Sequence, residues 1–259
     1  MDGAFFGYWG LLLAAGLACG LLNTLASSGS AVTLPILVLL GLPEGAANAT
    51  NRLPVFVGCL IATATFARKG QLDWRAAARL APPLAAGSVA GALLAEHLSD
   101  RTLGLLITAA VLLALLLLFT KIKDALSRAV AGPPQVPPLA VATMFGVGVW
   151  LGLIVLDGAT YLLLVLILIC SFPLPQANAL KVLLITVGTT IAIAMFWNHG
   201  EVRWAEGAVL SLGSVVGGYL GVLASNMPDA KSWAFRMLVI VVTLELLHLG
   251  WHYTAPYRA

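Results

Sequence analysis

The chain has 259 residues, of which 60% are hydrophobic and only 10% are charged, and its formal net charge is +3. Soluble domains carry about 25% charged residues, so this composition and a mean hydropathy of +0.98 exclude a soluble globular protein. The small positive charge gives no reason to expect a nucleic acid partner, and a bias of basic residues toward cytoplasmic loops explains it better.

Apolar runs fill the chain, and several reach the roughly 20 residues that a helix needs to cross a bilayer. In chain order they cover 8–26, 30–42, 53–67, 80–95, 102–119, 138–156, 158–171, 182–197, 205–226 and 233–250. Their continuity predicts helices, because barrel strands alternate in polarity over about ten residues. Asp2 precedes the first run where a signal peptide would carry basic residues, so we expect that run to be retained. The sequence predicts an all-α polytopic membrane protein with about 8–10 membrane segments.

Cys19, Cys59 and Cys170 each stand in an apolar run without a His or Cys at ligand spacing. Isolated cysteines of this kind are typical of small buried hydrophobic residues. We therefore expect neither a metal site nor a cofactor.

Sliding the sequence against itself by 130 residues reveals an internal repeat without gaps. From Pro43 to Leu93, 18 of 51 aligned pairs are identical, and they include Asn, Gly, Trp and Pro. A shared apolar composition explains scattered Leu or Ala matches but not these. We expect two homologous halves, namely a first transmembrane repeat over 1–130 and a second over 138–259, joined by a linker at 131–137.

Corresponding loops of the two halves differ in charge. The segment Arg68–Arg79 contains four Lys or Arg residues, whereas its counterpart Asn198–Gly207 contains only Arg203. Basic loops tend to face the cytoplasm, so we expect the two loops on opposite sides of the membrane. This requires inverted repeats, an arrangement that many secondary transporters use.

Polar residues interrupt the apolar pattern at corresponding positions of both halves, in Asn23–Pro35 and Ile154–Leu163. Paired interruptions predict broken or half-length helices that meet near the midplane, at the binding site of a transporter. A helix over 31–42 would be about 18 Å long, with Pro35 in or near its first turn.

Free N–H groups at a helix start inside the membrane attract anions. In the first break, Ser27, Ser28 and Ser30 either cap these donors or present hydroxyls to a ligand. Gly29 allows the backbone to approach a ligand closely.

A polar helix start follows each break. Asn48, Asn51 and Arg52 share one helical face, and Asn178 and Lys181 repeat the first two of these positions. A cation at the bilayer centre costs about 2.5–3.5 kcal/mol on insertion scales, so it normally faces a cavity, and we expect both cations to bind an anion. The predicted substrate-binding set is Asn23, Ser27, Ser28, Gly29, Ser30, Asn48, Asn51, Arg52, Gly158, Thr160, Asn178 and Lys181.

Further ionisable residues are candidates for coupling or charge pairing. Asp157 stands at the repeat position of Ser27, where it pairs with Lys181, titrates with a coupled proton, or caps the following helix. Glu245 lies one turn before His248, and the two form either a proton relay or a locally satisfied pair. The small-residue segments Gly87–Gly91 and Gly217–Gly221 are typical of close helix packing.

These motifs resemble those of the sulfite exporter TauE/SafE family, also called the 4-toluene sulfonate uptake permease family. The likeness covers nearly the whole chain and includes "SSGSAVTLPILVLLGLP", "ANATN", "PQANALK" and "GGYLG". It implies transport of sulfite, a sulfonate or a related organosulfur anion across a bacterial inner membrane, without a cofactor. The chain departs from the family where serines replace glycines in the first break and Asp157 replaces a glycine cluster in the second.

Two other functions stay open on the sequence alone. One is transport of a carboxylate anion that contains no sulfur. The other is intramembrane hydrolysis, with Ser28 or Ser30 as the nucleophile and a histidine as its base, although only His248 falls well within an apolar run.

Overall fold

The computed structural model describes residues 2–25, 29–99, 101–106, 109, 133–154, 156, 158–197, 202–225 and 227. Within these ranges the chain is helical and contains no strand. Its helices are α1 (Asp2–Leu25), α2 (Ser30–Leu39), α3 (Glu44–Arg68), α4 (Trp74–Glu96), α5 (Pro138–Leu153), α6 (Gly158–Leu164), which continues into a π-helical turn (Val165–Ile169), α7 (Leu174–Trp197) and α8 (Trp204–Ala224). Residues 101–106 are helical as well.

Among the described residues, five helices are long and apolar enough to cross a membrane, and they are α1, α3, α4, α7 and α8. The remaining apolar helices α2, α5 and Gly158–Ile169 are shorter. Large apolar side chains such as Leu105 and Leu212 are 64% and 65% exposed, as suits a surface in contact with lipid tails. The predicted all-α polytopic membrane protein is therefore confirmed.

Helices α3 and α7 begin eight or more residues before the apolar runs at 53–67 and 182–197 that predicted them. Their first turns carry the polar residues of the two helix starts, and Arg52 and Lys181 are fully buried. A helix accommodates such residues when its polar face is turned toward neighbouring helices, so hydropathy alone places the helix start too late.

The helices recur at the spacing of the sequence repeat. When 130 is added to their residue numbers, α1 overlaps α5, α2 overlaps α6 with its π-helical turn, α3 overlaps α7, and α4 overlaps α8. The same spacing separates Gly41 and Ser171, which have φ angles of 90° and 58° at the ends of corresponding short helices. After α2, Gly41 continues into a closing turn in which the Leu42 N–H donates to Leu37 O at 3.1 Å.

Glycines bring α1 and α8 into backbone contact. A Cβ on Gly16 would lie 1.9 Å from Leu210 O, and a Cβ on Gly20 would lie 2.3 Å from Ser214 O. Only glycine permits this approach, which is typical of helix packing in membranes. The residue numbers at successive contacts rise along α1 and along α8 alike, so the two helices run in the same direction.

A matching interface joins α4 and α5. A Cβ on Gly91 would lie 1.9 Å from Val149 O, and a Cβ on Gly148 would lie 2.2 Å from Leu84 O. The pairs Leu84–Gly148 and Gly91–Val149 again ascend together, so these two helices are parallel as well. The predicted packing role of Gly87–Gly91 and Gly217–Gly221 is confirmed.

Helix α3 packs beside α8 in the centre of the bundle. The Ser214 hydroxyl donates to Pro54 O at 2.6 Å, and a Cβ on Gly218 would lie 2.5 Å from Gly58 O. A Cβ on Gly207 would meet Leu53 Cδ1 at 2.3 Å. The contacts ascend along both helices, so α3 is parallel to α8.

We expect Gly148→Ala to lower the free energy of unfolding by about 1–3 kcal/mol, because the added methyl group would overlap the α4 backbone. Gly146→Ala is a matched control on the same helix, since no described atom lies within 4 Å of its Cβ position. Alanine favours helix over glycine by up to about 1 kcal/mol, so this variant should be at least as stable as the parent. Unfolding curves in detergent micelles measure both, and equal stabilities would contradict close packing of α4 and α5.

Candidate functional site

Arg52, on α3, holds the carbonyl end of α5. Its Nη1 donates to Leu151 O at 2.7 Å, and its Nη2 donates to Gly152 O at 2.7 Å and to Leu153 O at 3.2 Å. The guanidinium also stacks over the ring of Phe196, 4.8 Å from its centroid. The last carbonyls of a helix carry partial negative charge, so a cation is favourable there even when it is fully buried.

Asn48 lies one turn before Arg52 and contacts the same helix end. Its Nδ2 donates to Leu153 O at 3.0 Å. Its Oδ1 is buried and has no hydrogen-bond partner among the described residues. We call Asn48, Arg52 and the α5 carbonyls the α5-end cluster.

Lys181, on α7, occupies the corresponding place at the end of α1. Its Nζ donates to Thr24 O at 3.4 Å and to Asn178 Oδ1 at 3.2 Å. These contacts are longer than those of Arg52, although the Lys181 side chain is equally buried. Arg52, which belongs to α1–α4, therefore lies at the end of α5. Lys181, which belongs to α5–α8, lies at the end of α1.

The first break is held against α1 by Asn23. The Gly29 N–H donates to Asn23 Oδ1 at 3.0 Å, and Asn23 Nδ2 lies 3.5 Å from Cys19 Sγ. A Cβ on Gly29 would lie 2.2 Å from Cys19 O, so the glycine makes room for α1 itself.

The start of α2 decides between the two alternatives for Ser30 and locates Pro35 within the helix. Gly29 is the N-cap and Ser30 is the first helical residue, so Ser30 does not act as the cap. Pro35 is the sixth residue of α2 rather than part of its first turn, because Gly29 already has helical angles, with φ of −62° and ψ of −35°. At ten residues, α2 is about 15 Å long and remains a half-length helix.

Thr33 is a polar contact of this region that the sequence interpretation missed. Its hydroxyl donates to Asn51 Oδ1 on α3. Asn51 Nδ2 is buried and has no hydrogen-bond partner among the described residues. Thr33 is the one polar side chain of α2 after Ser30. A single polar residue in an otherwise apolar helix was the sequence feature that could have identified it. We call Asn23, Thr33, Asn51, Asn178 and Lys181 the α1-end site.

Apolar side chains pack against the second break. A Cβ on Gly158 would lie 2.2 Å from Leu151 Cδ2, so this glycine fits under the end of α5. Trp150 Nε1 donates to Leu156 O at 2.8 Å and spans the break. Thr160 is half-buried on α6.

The structure thus distributes the predicted site residues over two places. Asn23, Gly29, Ser30, Asn51, Asn178 and Lys181 lie near the end of α1 and the start of α2, whereas Asn48, Arg52 and Gly158 lie near the end of α5. Ser27, Ser28, Asp157, Glu245 and His248 lie outside the described residues. Within the described ranges, no group of three or more His, Cys, Asp or Glu residues could hold a metal ion.

Comparison with known proteins identifies relatives along almost the whole chain. Residues 12–247 match the profile of a family described as Sulfite exporter TauE/SafE. A probable membrane transporter protein from Sinorhizobium is 24% identical over 91% of this chain and 89% of its own length. Another from Haemophilus influenzae is 27% identical over 93% of this chain and 95% of its own, and the probable membrane transporter protein YfcA from Escherichia coli is 26% identical over 82% and 78%. No solved structure was found to match.

We expect Arg52→Gln to lower the free energy of unfolding by about 3 kcal/mol, because hydrogen bonds from a charged group contribute about 1.5–3 kcal/mol each and glutamine replaces at most part of them. Arg68→Gln is the control, since Arg68 is exposed at the other end of α3 and should change stability by no more than about 0.5 kcal/mol. Denaturant unfolding in detergent measures both variants. Equal losses would show that the contacts of Arg52 with α5 are not stabilising.

Proposed function

The chain belongs to the sulfite exporter TauE/SafE family, whose relatives are named as transporters and not as enzymes, and from this premise we propose a secondary transporter that moves a small sulfur-containing anion. Sulfite is the substrate that the family description names, and a sulfonate carries a similar anionic group of three oxygens on sulfur. The relatives are bacterial, so the proposed location is the inner membrane.

The observation that carries this proposal is the fully buried Lys181 ammonium at the end of α1. The ammonium donates to the neutral acceptors Thr24 O and Asn178 Oδ1 at 3.4 and 3.2 Å, and a bound anion would accept a stronger, charge-assisted hydrogen bond from it. Asn51, the repeat counterpart of Lys181, has a buried Nδ2 that offers a second donor. Substrate binding is therefore assigned to the α1-end site.

The α5-end cluster has a different proposed role. Arg52 donates at 2.7 Å to two carbonyls, and an anion would have to break these short bonds to bind there. Arg52 and Asn48 thus hold the end of α5 in place, while Lys181 contacts the substrate. The two buried cations thus divide anchoring and binding between them.

Helix directions support a pair of inverted halves over 1–130 and 138–259. Helices α1, α3 and α8 are mutually parallel, and α4 is parallel to α5. Only Lys69–Asp73 connects α3 to α4, so these two long helices run in opposite directions. It follows that α1 opposes its counterpart α5, and that α4 opposes α8. Alternating access then results from rocking of one half against the other around the site.

A carboxylate without sulfur is the second candidate substrate. Ammonium and amide donors bind any small oxyanion, so the α1-end site does not by itself select sulfur. Coupling to protons through Asp157, or through Glu245 and His248, stays a prediction, because these residues lie outside the described ranges.

We expect Lys181→Gln to reduce sulfite uptake into proteoliposomes by about 10-fold to 100-fold, since one hydrogen bond from a charged group contributes about 1.5–3 kcal/mol. Lys69→Gln is the control, because Lys69 is exposed in the loop after α3. Competition by unlabelled methanesulfonate and acetate ranks the candidate anions. Undiminished uptake by folded Lys181→Gln protein would remove Lys181 from the site, and stronger competition by acetate would favour a carboxylate substrate.

We expect Arg75→Cys and Ala205→Cys to be labelled from opposite sides of the membrane. The two positions are exposed and lie 130 residues apart, at equivalent places in α4 and α8. A membrane-impermeant maleimide added to intact cells should label the cysteine at position 205, and the one at position 75 only after permeabilisation, because the basic loop before it faces the cytoplasm. The native cysteines are buried, so the parent protein provides the background. Labelling of both from one side would contradict inversion.

A further inference from the structure

We propose that Thr33 is a positioning residue that turns the Asn51 amide so that its N–H groups meet the substrate, and that the site consequently selects oxyanions that only accept hydrogen bonds. The inference rests on the proposed transport function and deepens it. It adds a residue outside the predicted site and names the chemical class that the site accepts.

The Thr33 hydroxyl has a single proton to donate. Its Oγ1 lies near three acceptors, namely Asn51 Oδ1, Gly29 O at 3.5 Å and Cys19 Sγ at 3.7 Å. Asn51 Oδ1 is the nearest of the three, so it receives the proton. An amide whose oxygen is held in this way presents its Nδ2 on the other side.

A buried network keeps Thr33 in place. Asn23 Oδ1 accepts from the Gly29 N–H at 3.0 Å, and Asn23 Nδ2 contacts Cys19 Sγ at 3.5 Å. Asn23 and Thr33 are 3% and 0% exposed. The orientation of Asn51 is therefore tied to the first break, where α1 ends and α2 begins.

The orientation decides which ligands fit. Asn51 Nδ2 is a buried donor with no partner among the described residues, and such a donor is unfavourable until it finds an acceptor. The Lys181 ammonium is likewise a donor only. An oxyanion can accept hydrogen bonds from both groups, whereas a ligand that presents an N–H to Asn51 Nδ2 places one donor against another.

Asn48 provides a contrast within the same helix. Its Nδ2 donates to Leu153 O at 3.0 Å, so its Oδ1 is the buried end without a partner among the described residues. The neighbours of α3 thus hold Asn48 by its Nδ2 and Asn51 by its Oδ1, so the two amides have opposite orientations. Only the one beside Thr33 offers a donor.

Uptake kinetics in proteoliposomes test the proposal. We expect Thr33→Val to raise the KM for sulfite by about tenfold with Vmax changed by less than about twofold, and Thr33→Ser to restore the parent KM. Asn51→Leu should raise KM to a similar extent, and adding Thr33→Val to it should have no further effect, because Thr33 acts through Asn51. Thr65→Val is the matched control, since the Thr65 hydroxyl donates to Ile61 O within α3 at 2.7 Å.

Two inhibitors of similar shape read out the amide orientation. Methanesulfonate accepts hydrogen bonds only, whereas neutral methanesulfonamide also donates them. The parent protein should bind methanesulfonate at least about tenfold more tightly than methanesulfonamide. Thr33→Val should lower this ratio of affinities, because the Asn51 amide can then rotate and present Oδ1 to the ligand. Should Thr33→Val prove unstable in detergent, Thr33→Ala removes the same hydroxyl with less bulk.

Several results would overturn the proposal. They are an unchanged KM in folded Thr33→Val or Thr33→Ala protein, a fall in Vmax alone, and equal inhibition of the parent by both compounds. If the parent transports acetate but not sulfite, the sulfur assignment fails while the same variants, assayed with acetate, still decide the role of Thr33. A parent protein that neither transports nor binds any of these anions overturns both proposals.

Discussion

Helix ends inside a membrane impose the constraint on which this structure depends. The last carbonyls of a helix have no partner within it, and lipid tails cannot supply one. Helices α1 and α5 end beside breaks in the apolar pattern, and Lys181 and Arg52 donate to their terminal carbonyls. The same constraint explains why the two cations are tolerated where burial is complete, since each faces the negative end of a helix dipole.

Close packing determines which helix end each cation reaches. The glycine interfaces join α1 to α8 and α4 to α5, so each interface pairs a helix of α1–α4 with a helix of α5–α8. Helices α3 and α7 pack against these pairs, and their polar first turns meet the ends of α5 and α1. Removing a glycine contact would therefore displace a carbonyl end as well as weaken a helix pair.

The sequence was sufficient to predict the helical membrane fold, the recurrence of helices at a spacing of 130 residues and the burial of both cations, because bilayer insertion and repetition leave strong local patterns. It did not predict the partners. Arg52 donates to carbonyls about 100 residues away, and the Thr33 hydroxyl pairs with Asn51 across a helix turnaround. Such contacts depend on how helices cross, which periodicity does not encode. Pro35 likewise did not define the residue at which α2 begins, since a proline is compatible with a helix start but does not require one.

The two short helices are unequal, and this has a consequence for the resting state. Helix α2 is a regular helix that contains Pro35, whereas α6 continues into the π-helical turn Val165–Ile169. A π-helical turn accommodates an additional residue and shifts the register of the side chains that follow it. In the transporter proposed above, perfectly matched inverted halves would give the inward-open and outward-open conformers the same energy. In that transporter the mismatch gives the two empty conformers unequal energies, so the carrier waits for substrate mainly on one side of the membrane, while the gradients alone set the direction of net transport.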